Sequence, residues 1–558
     1  MAVLPVTPGL WLAALAPVLL LFGTVVRGRL SPRIGAAIAL VATLVGATVV
    51  FGVTLTGVVV GLGKGLWLGL WILLVVWPAL LLFRIVAAVG FSRIGEVLSG
   101  LLPGRPERLL VVAWLFPSFI QGVAGFGTPV AVAAPLLLAM GWHRVRAVTL
   151  PLVGYHWAVT FGSMGSSFYV ASLTAGFDPA QQSRLALHAA VFLGLNCLVA
   201  GALVLVVDGG WRRLVEGLPL LLWLGLPTAS TLVVVATVVP AVATLVAGTV
   251  GFGMLWLVRL RRRGSATVVA RVAEELSDRT VGVGPTNVRS PAPDPETARP
   301  DEPPSAVAST ARGGPAPLLL LCPYLLLLLT ALPVFLLPWS RNWVKEHLLL
   351  GPAFPAVRTG RGWSVPATDT FNPVALVGHP GFYILLACLL GYLVYRRTGL
   401  LGRSRAGGIV AAWARGLPAA SVVIVCLTSV AMVMSDAGMI SVLARGTESA
   451  TGHAFPALSP LLGALGSSMT GSTASSNALL APFQAQVAAL LNLDPTVLVG
   501  AQTAGANVGN SLAPVVILIG LSAVGAPDEL PAVLRASLRP AMVLLATLVI
   551  AVLVTLLV

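Results

Sequence analysis

The sequence predicts an all-α polytopic membrane protein of about twelve transmembrane helices plus two re-entrant hairpins (12–14 spans), arranged as an inverted-topology repeat. Three observations predict it. Of 558 residues, 57% are hydrophobic and 9% charged, where soluble domains carry roughly 25% charged residues. Apolar runs of about 20 residues, the length that spans a bilayer, recur from end to end. Residues 109–142 and 449–493 contain no Asp, Glu, Lys or Arg, yet Gly, Pro and hydroxyl side chains interrupt both.

Composition excludes a soluble enzyme, which would need polar groups to cover its surface. The net charge of +15 would suggest nucleic acid in a soluble chain. Here the basic residues form short clusters between apolar runs, which is the positive-inside pattern of a lipid-embedded protein. No nucleic-acid partner is expected. Cys197, Cys322, Cys388 and Cys426 are scattered through apolar segments without a C-x-x-C, so neither zinc nor a disulfide framework is indicated. No H-E-x-x-H or phosphate-binding loop occurs. No metal, cofactor or ATP-driven step is expected.

The N-terminal half, 1–258, has spans near 8–26, 34–53 and 66–83, a hairpin near 109–140, and spans near 148–175, 187–207, 218–238 and 240–258. The first run has no basic residue before it and Arg27, Arg29 and Arg33 after it, so it is expected to be a retained span and not a cleaved leader. Residues 259–316 are polar and rich in Pro, Ala, Thr and Glu, a composition that predicts a disordered cytoplasmic linker. The C-terminal half, 317–558, has spans near 317–338, 379–395 and 417–435, a hairpin near 456–492, and spans near 496–520 and 540–558. Trp339, Trp343 and Trp363 suit a membrane interface. Asp436 falls near the outer end of a span and is expected to be solvated.

Topology follows from charge. With Arg27–Arg33, Arg84–Arg108, Arg144–Arg146, Arg212–Arg213, Arg259–Arg263, Arg396–Arg405 and Arg535–Arg539 in the cytoplasm, the first hairpin enters and leaves from inside and the second from outside. Both termini then lie outside. A plain fourteen-span count is the alternative. Three spans, a hairpin and two spans occur in each half, as an inverted repeat requires, and the first half carries two extra spans, 218–258, before the linker. A short echo agrees: "TPVAVAAP" at 128–135 aligns with "SSNALLAP" at 475–482.

The hairpins carry the chemistry. In "FPSFIQGVAGFGTPVAVAAP", 116–135, Pro117, Gly122, Gly125, Gly127 and Pro129 oppose a continuous helix. Broken backbone at membrane depth survives only inside protein or beside a water-filled cavity. It frees N–H groups and a helix N-terminus, which attract an anion. Thr128 is expected to cap the restarted helix, with Pro129 in its first turn. In "GSSMTGSTASSNALLAP", 466–482, eight hydroxyl or amide side chains include Ser472, Thr473, Ser475, Ser476 and Asn477. Such groups need partners in hydrocarbon. The other reading of both segments is helix packing through small and hydroxyl residues. "YHWAVTFGSMGSS" (155–167) and "QTAGANVGNSLAP" (502–514) are partner segments, expected to be Gly-interrupted mid-span. They add His156, Ser163, Gln502, Asn507 and Asn510. His156 is a titratable group at depth, open to a proton-relay role or a structural one.

These residues resemble the L-lactate permease family. The resemblance rests on "QGVAGFGTPVAVAAP", "FGSMG", "DGGWR" at 208–212, "TGHAFPALSPLLGALGSSMTGSTASSNALLAPFQAQ" at 451–486 and "LDPTVLVGAQTAGANVGNSLAP" at 493–514. It implies a plasma-membrane symporter of L-lactate and related 2-hydroxy monocarboxylates, such as glycolate, with protons. It also implies charged residues where this chain has Gln121, Thr473 and Asn510, so the site here is unusually neutral. The expected partners are a small carboxylate, a coupling ion (a proton ahead of sodium) and the lipid bilayer. A same-fold carrier of another organic anion, a sodium-coupled one, and a non-transporting sensor or scaffold are the alternatives.

Overall fold

A computed structural model describes residues 4–26, 31–89, 104–123, 125, 127–258, 260, 317–402 and 405–557. The expected linker at 259–316, residue 260 apart, and the arginines at 27, 29, 93, 259, 261–263 and 403 lie outside the described residues. The described residues are helical nearly throughout. Two small two-stranded ladders, β1 (Leu349–Leu350) with β4 (Val374–Ala375) and β2 (Val357–Arg358) with β3 (Ser364–Val365), sit in one connecting loop.

The first half comprises α1 (Pro8–Val26), α2 (Pro32–Val45), α3 (Leu55–Val89), α4 (Phe116–Val123), α5 (Thr128–Ala139), α6 (Arg144–Tyr155), α7 (Ser166–Thr174), α8 (Pro179–Val238) and α9 (Pro240–Val258). A π-helical stretch, Leu110–Leu115, leads into α4. Gly209 and Gly210 leave helical geometry and fold α8 into two arms. The second half comprises α10 (Cys322–Leu336), α11 (Pro338–Glu346), α12 (Pro380–Arg397), α13 (Arg405–Asp436), α14 (Met439–Thr451), α15 (Phe455–Thr470), α16 (Thr473–Leu490), α17 (Pro495–Leu512), α18 (Pro514–Ala523) and α19 (Leu530–Leu557).

Six of the described helices are long and apolar enough to cross a membrane, or up to eight if each of two bent pairs is one span. The bends are 95° between α10 and α11 and 45° between α17 and α18. Proline causes both, since Pro338 and Pro514 each open the second helix and cannot continue the first. Trp339 and Trp343 are exposed, as interface residues would be.

Arg105, before the first hairpin, donates two hydrogen bonds to the Asp208 carboxylate. Trp142, after that hairpin, donates to the same carboxylate at 2.7 Å. Arg146 reaches the Asp208 carbonyl, and Arg213 lies 3.5 Å from the carboxylate. Three basic clusters that charge alone assigned to one side therefore meet at one point.

Glycine sets the closest helix contacts. Along α3, Gly61, Gly65 and Gly69 lie against Val433, Ser429 and Val425 of α13. Between α15 and α17, a Cβ on Gly463, Gly505 or Gly509 would land on the backbone carbonyls of Gln502, Pro460 and Ala464 respectively. Small residues permit this approach, and tight packing is a main attraction between helices in lipid. Two expectations are corrected here. Gly505 and Gly509 do not interrupt the 502–514 segment: α17 stays helical to Leu512 and these glycines serve packing. Asp436 is 4% exposed, not solvated, because it ends α13 against α3 and pairs with Lys64 at 3.0 Å.

Candidate functional site

The first hairpin breaks where the glycines predict. Gly127 takes φ +80, a left-handed conformation open to glycine, and caps α5. Thr128 is therefore the first helical residue and not the cap, with Pro129 beside it. A Cβ on Gly122 would lie 2.9 Å from the Leu245 backbone, and one on Gly127 2.7 Å from Ile519. One on Gly125 would overlap the Ser163 hydroxyl and approach Gln121 Nε2 at 3.3 Å. Gln121, Gly125 and Ser163 thus converge. Ser163 and Met164 hold φ values of 47 and 56, followed by Gly165 at 71. Two adjacent non-glycine residues in the left-handed region are strained, and such strain concentrates at functional sites. This break precedes α7, which Gly165 caps.

The second hairpin turns at Gly471, φ +69. Ser472 caps α16 by accepting the Ser475 N–H at 3.2 Å. A cavity of about 450 Å³ reaches this turn, lined by Arg33, Thr470, Gly471, Ser472, Ser475 and Val515 among others. Ser476 and Asn477, which follow Ser475 in α16, are not part of its lining. Both hairpin tips pack on α18, Gly127 at Ile519 and Gly471 at Val515.

A buried hydrogen-bond chain runs through Asn477. Gln502 Nε2 donates to Asn477 Oδ1 at 3.1 Å. Asn477 Nδ2 donates to Thr503 Oγ1 at 2.7 Å and to the Ser167 carbonyl at 2.8 Å. Thr503 and Thr160 hydroxyls are 3.1 Å apart, and Thr160 donates to Asn507 Oδ1 at 2.8 Å. Thr160 and Ser167 belong to the first half and the others to the second, so the chain ties the halves together. Its two ends are open: Gln502 Oε1 and Asn507 Nδ2 are buried with no partner among the described residues. One end offers an acceptor and the other a donor.

The sequence-predicted residues therefore separate into three groups. Ser476, Asn477, Gln502 and Asn507 share the chain. Gln121, Gly125 and Ser163 form a second contact, and Ser472 and Ser475 line the cavity. Thr473 donates to the Ala506 carbonyl at 3.4 Å. No described hydrogen bond links Thr128, His156 or Asn510 side chains to the chain. His156 is fully buried, with Nδ1 2.8 Å from the Val153 carbonyl and Nε2 unpartnered. Thr160 and Thr503 were not singled out, although their hydroxyls lie inside the two polar partner segments. Among the described residues no cluster of His, Cys, Asp or Glu is arranged to hold a metal.

Apolar spans, two broken hairpins and a polar seam buried between the halves define a polytopic membrane transporter. The L-lactate permease family profile matches residues 11–286 and 357–558, and the chain belongs to that family. It is 27% identical over 541 residues to the L-lactate permease of Escherichia coli (strain K12), covering 92% of this chain and 91% of that one. It is 25% identical over 555 residues to Glycolate permease GlcA of the same strain, covering 92% and 90%. An L-lactate permease of Bacillus subtilis (strain 168) is 24% identical over 563 residues, covering 96% and 93%. The protein is thus an integral membrane transporter and not an enzyme.

Proposed function

We propose that the chain moves L-lactate or a related small 2-hydroxy monocarboxylate across the plasma membrane by alternating access, in symport with protons. The observation that carries this reading is the open-ended chain between the halves. Asn507 Nδ2 is a free donor for a carboxylate oxygen, and Gln502 Oε1 a free acceptor for a 2-hydroxyl. Unpaired buried polar groups of this kind are costly, and a ligand bearing both functions satisfies them. The cavity at Ser472 and Ser475 supplies hydroxyls and a helix N-terminus on the approach. Gln121, Gly122, Gly125, Gly127, Thr128 and Ser163 form the matching surface of the first hairpin, with Thr473, Ser476, Asn477 and Asn510 on the second half.

The architecture behind this is twelve spans and two oppositely facing hairpins in an inverted repeat, with the 259–316 linker in the cytoplasm. The meeting of Arg105, Trp142 and Arg146 at Asp208 supports it, because the first hairpin then ends on the side where it began. Names of the relatives support lactate or glycolate as cargo. The test is radiolabelled uptake in proteoliposomes across a carboxylate panel, with a pH gradient, a sodium gradient or neither. Lactate accumulation driven by pH is expected. Uptake driven only by sodium, or no carboxylate uptake, overturns the reading.

A further inference from the structure

The hydrogen-bond chain of the proposed site contains no charged side chain, yet one ion pair is buried elsewhere between the two halves. Lys64 Nζ donates to both Asp436 oxygens at 3.0 Å, and the two residues are 3% and 4% exposed. Among the described ion pairs it is the one with both side chains buried. Lys64 lies on α3 and Asp436 closes α13, two helices joined by the glycine seam. Charges at membrane depth are costly to insert and mark proton or ion pathways. For stability alone, a buried pair is often replaceable by apolar side chains without loss.

An open cavity lies near it. Lys64 Nζ lies 5.8 Å from the Phe371 ring centroid. Thr370 and Asn372, on either side of Phe371, line an open cavity of about 680 Å³ with Trp71, Tyr169, Arg341 and His379. Trp67, three residues beyond Lys64, donates to the Asn372 carbonyl at 3.0 Å. Phe371 therefore touches Lys64 while its two chain neighbours line the cavity. The titratable and charged groups on the surrounding elements are Tyr169 on α7, Arg358 on β2, Asp369 in the loop, Arg341 on α11, His379 at the start of α12, Asp178 at the start of α8, and Arg445 on α14.

We propose that the Lys64–Asp436 pair is the proton-coupling site of the transporter, an assignment that rests on the proton-symport reading. A proton arriving through the cavity forms an O–H bond on Asp436 and weakens the two Nζ–H donations. Lys64 keeps its protons. The pair passes from net zero to net +1, and one carboxylate anion restores neutrality. When the anion leaves on the other side, the proton leaves Asp436 and the pair re-forms. One proton thus accompanies one monocarboxylate, with no net charge moved and no electron transferred.

The test uses the full chain in proteoliposomes with radiolabelled L-lactate. Accumulation driven by a pH gradient is compared with counterflow at equal pH, in wild type, Asp436→Asn and the double variant Lys64→Met/Asp436→Leu. The ratio of driven accumulation to counterflow is expected to fall at least tenfold in both variants. The double variant leaves no unpaired buried charge, so it reads the outcome if the single variant fails to fold. Driven accumulation within threefold of wild type in any folded variant overturns the assignment. So does equal loss of counterflow and accumulation in folded double variant, which makes the pair structural. If wild-type accumulation ignores the pH gradient, the symport reading itself fails at the first measurement, and this assignment fails with it.

Discussion

Asn477→Ala tests the seam between the halves most directly. The substitution removes two donations, to Thr503 Oγ1 at 2.7 Å and the Ser167 carbonyl at 2.8 Å, and one acceptance from Gln502 at 3.1 Å. Side-chain hydrogen bonds between membrane helices average about 0.6 kcal/mol and reach about 1.7. Three of them amount to about 2–5 kcal/mol, and the Ser167 carbonyl is left without this donor. Orientation is lost as well, since Gln502 and Asn507 are held through Asn477, Thr503 and Thr160. A misplacement of about 1 Å in a reacting or binding group can cost about 100-fold. Lactate uptake by purified, reconstituted protein is expected to fall about 30-fold or more, with a lower melting temperature. Thr160→Val removes the first-half side chain of the network. If the chain acts as a unit, the double variant loses less than the two single losses combined, with a coupling of at least about 0.5 kcal/mol. Uptake by Asn477→Ala within twofold of wild type, or strict additivity with Thr160→Val, refutes the reasoning.

Three further outcomes follow from the same geometry. Gly125→Ala pushes a methyl group into the Ser163 hydroxyl and is expected to destabilise by about 1–3 kcal/mol. Adding Ser163→Gly, which removes that hydroxyl and suits the positive φ, should restore the melting temperature, and a double variant no more stable than Gly125→Ala contradicts this. Gly505→Leu drives a side chain into the Pro460 carbonyl, so monodisperse protein should be lost on size-exclusion chromatography, whereas Gly141→Ala, with nothing within 4 Å of its Cβ position, should cost only its left-handed backbone preference. Ser472→Ala removes the cap of α16 and is expected to cost about 1 kcal/mol, read as a lower thermal midpoint with uptake reduced less than in Asn477→Ala.

Much of the fold is legible in the chain because lipid imposes simple demands. Apolar length marks helices, and Pro and Gly mark breaks, so the interruptions at Gly127 and Gly471 fall inside the segments expected for them. The cap shifts from Thr128 to Gly127 because the turn needs a left-handed residue there. Glycine is ambiguous in sequence: Gly125 and Gly127 open a hairpin, while Gly505 and Gly509 lie in a continuous helix and admit a neighbour. Only the packing of α15 distinguishes the two uses. The same limit applies to charge. Asp436 sits near the end of an apolar run, as a solvated residue would, and its partner is 372 positions away.

The sequence by itself determined a membrane protein of the L-lactate permease family, with two broken, uncharged segments among its spans. These properties are set by composition and by local backbone chemistry, which each segment carries within itself. Tertiary structure alone decided which polar groups meet. The ordering of Gln502, Asn477, Thr503, Thr160 and Asn507 into one chain, and the pairing of Lys64 with Asp436, depend on residues hundreds of positions apart. A hydrogen bond or ion pair forms only within about 3 Å, and that distance is set by how the two halves pack.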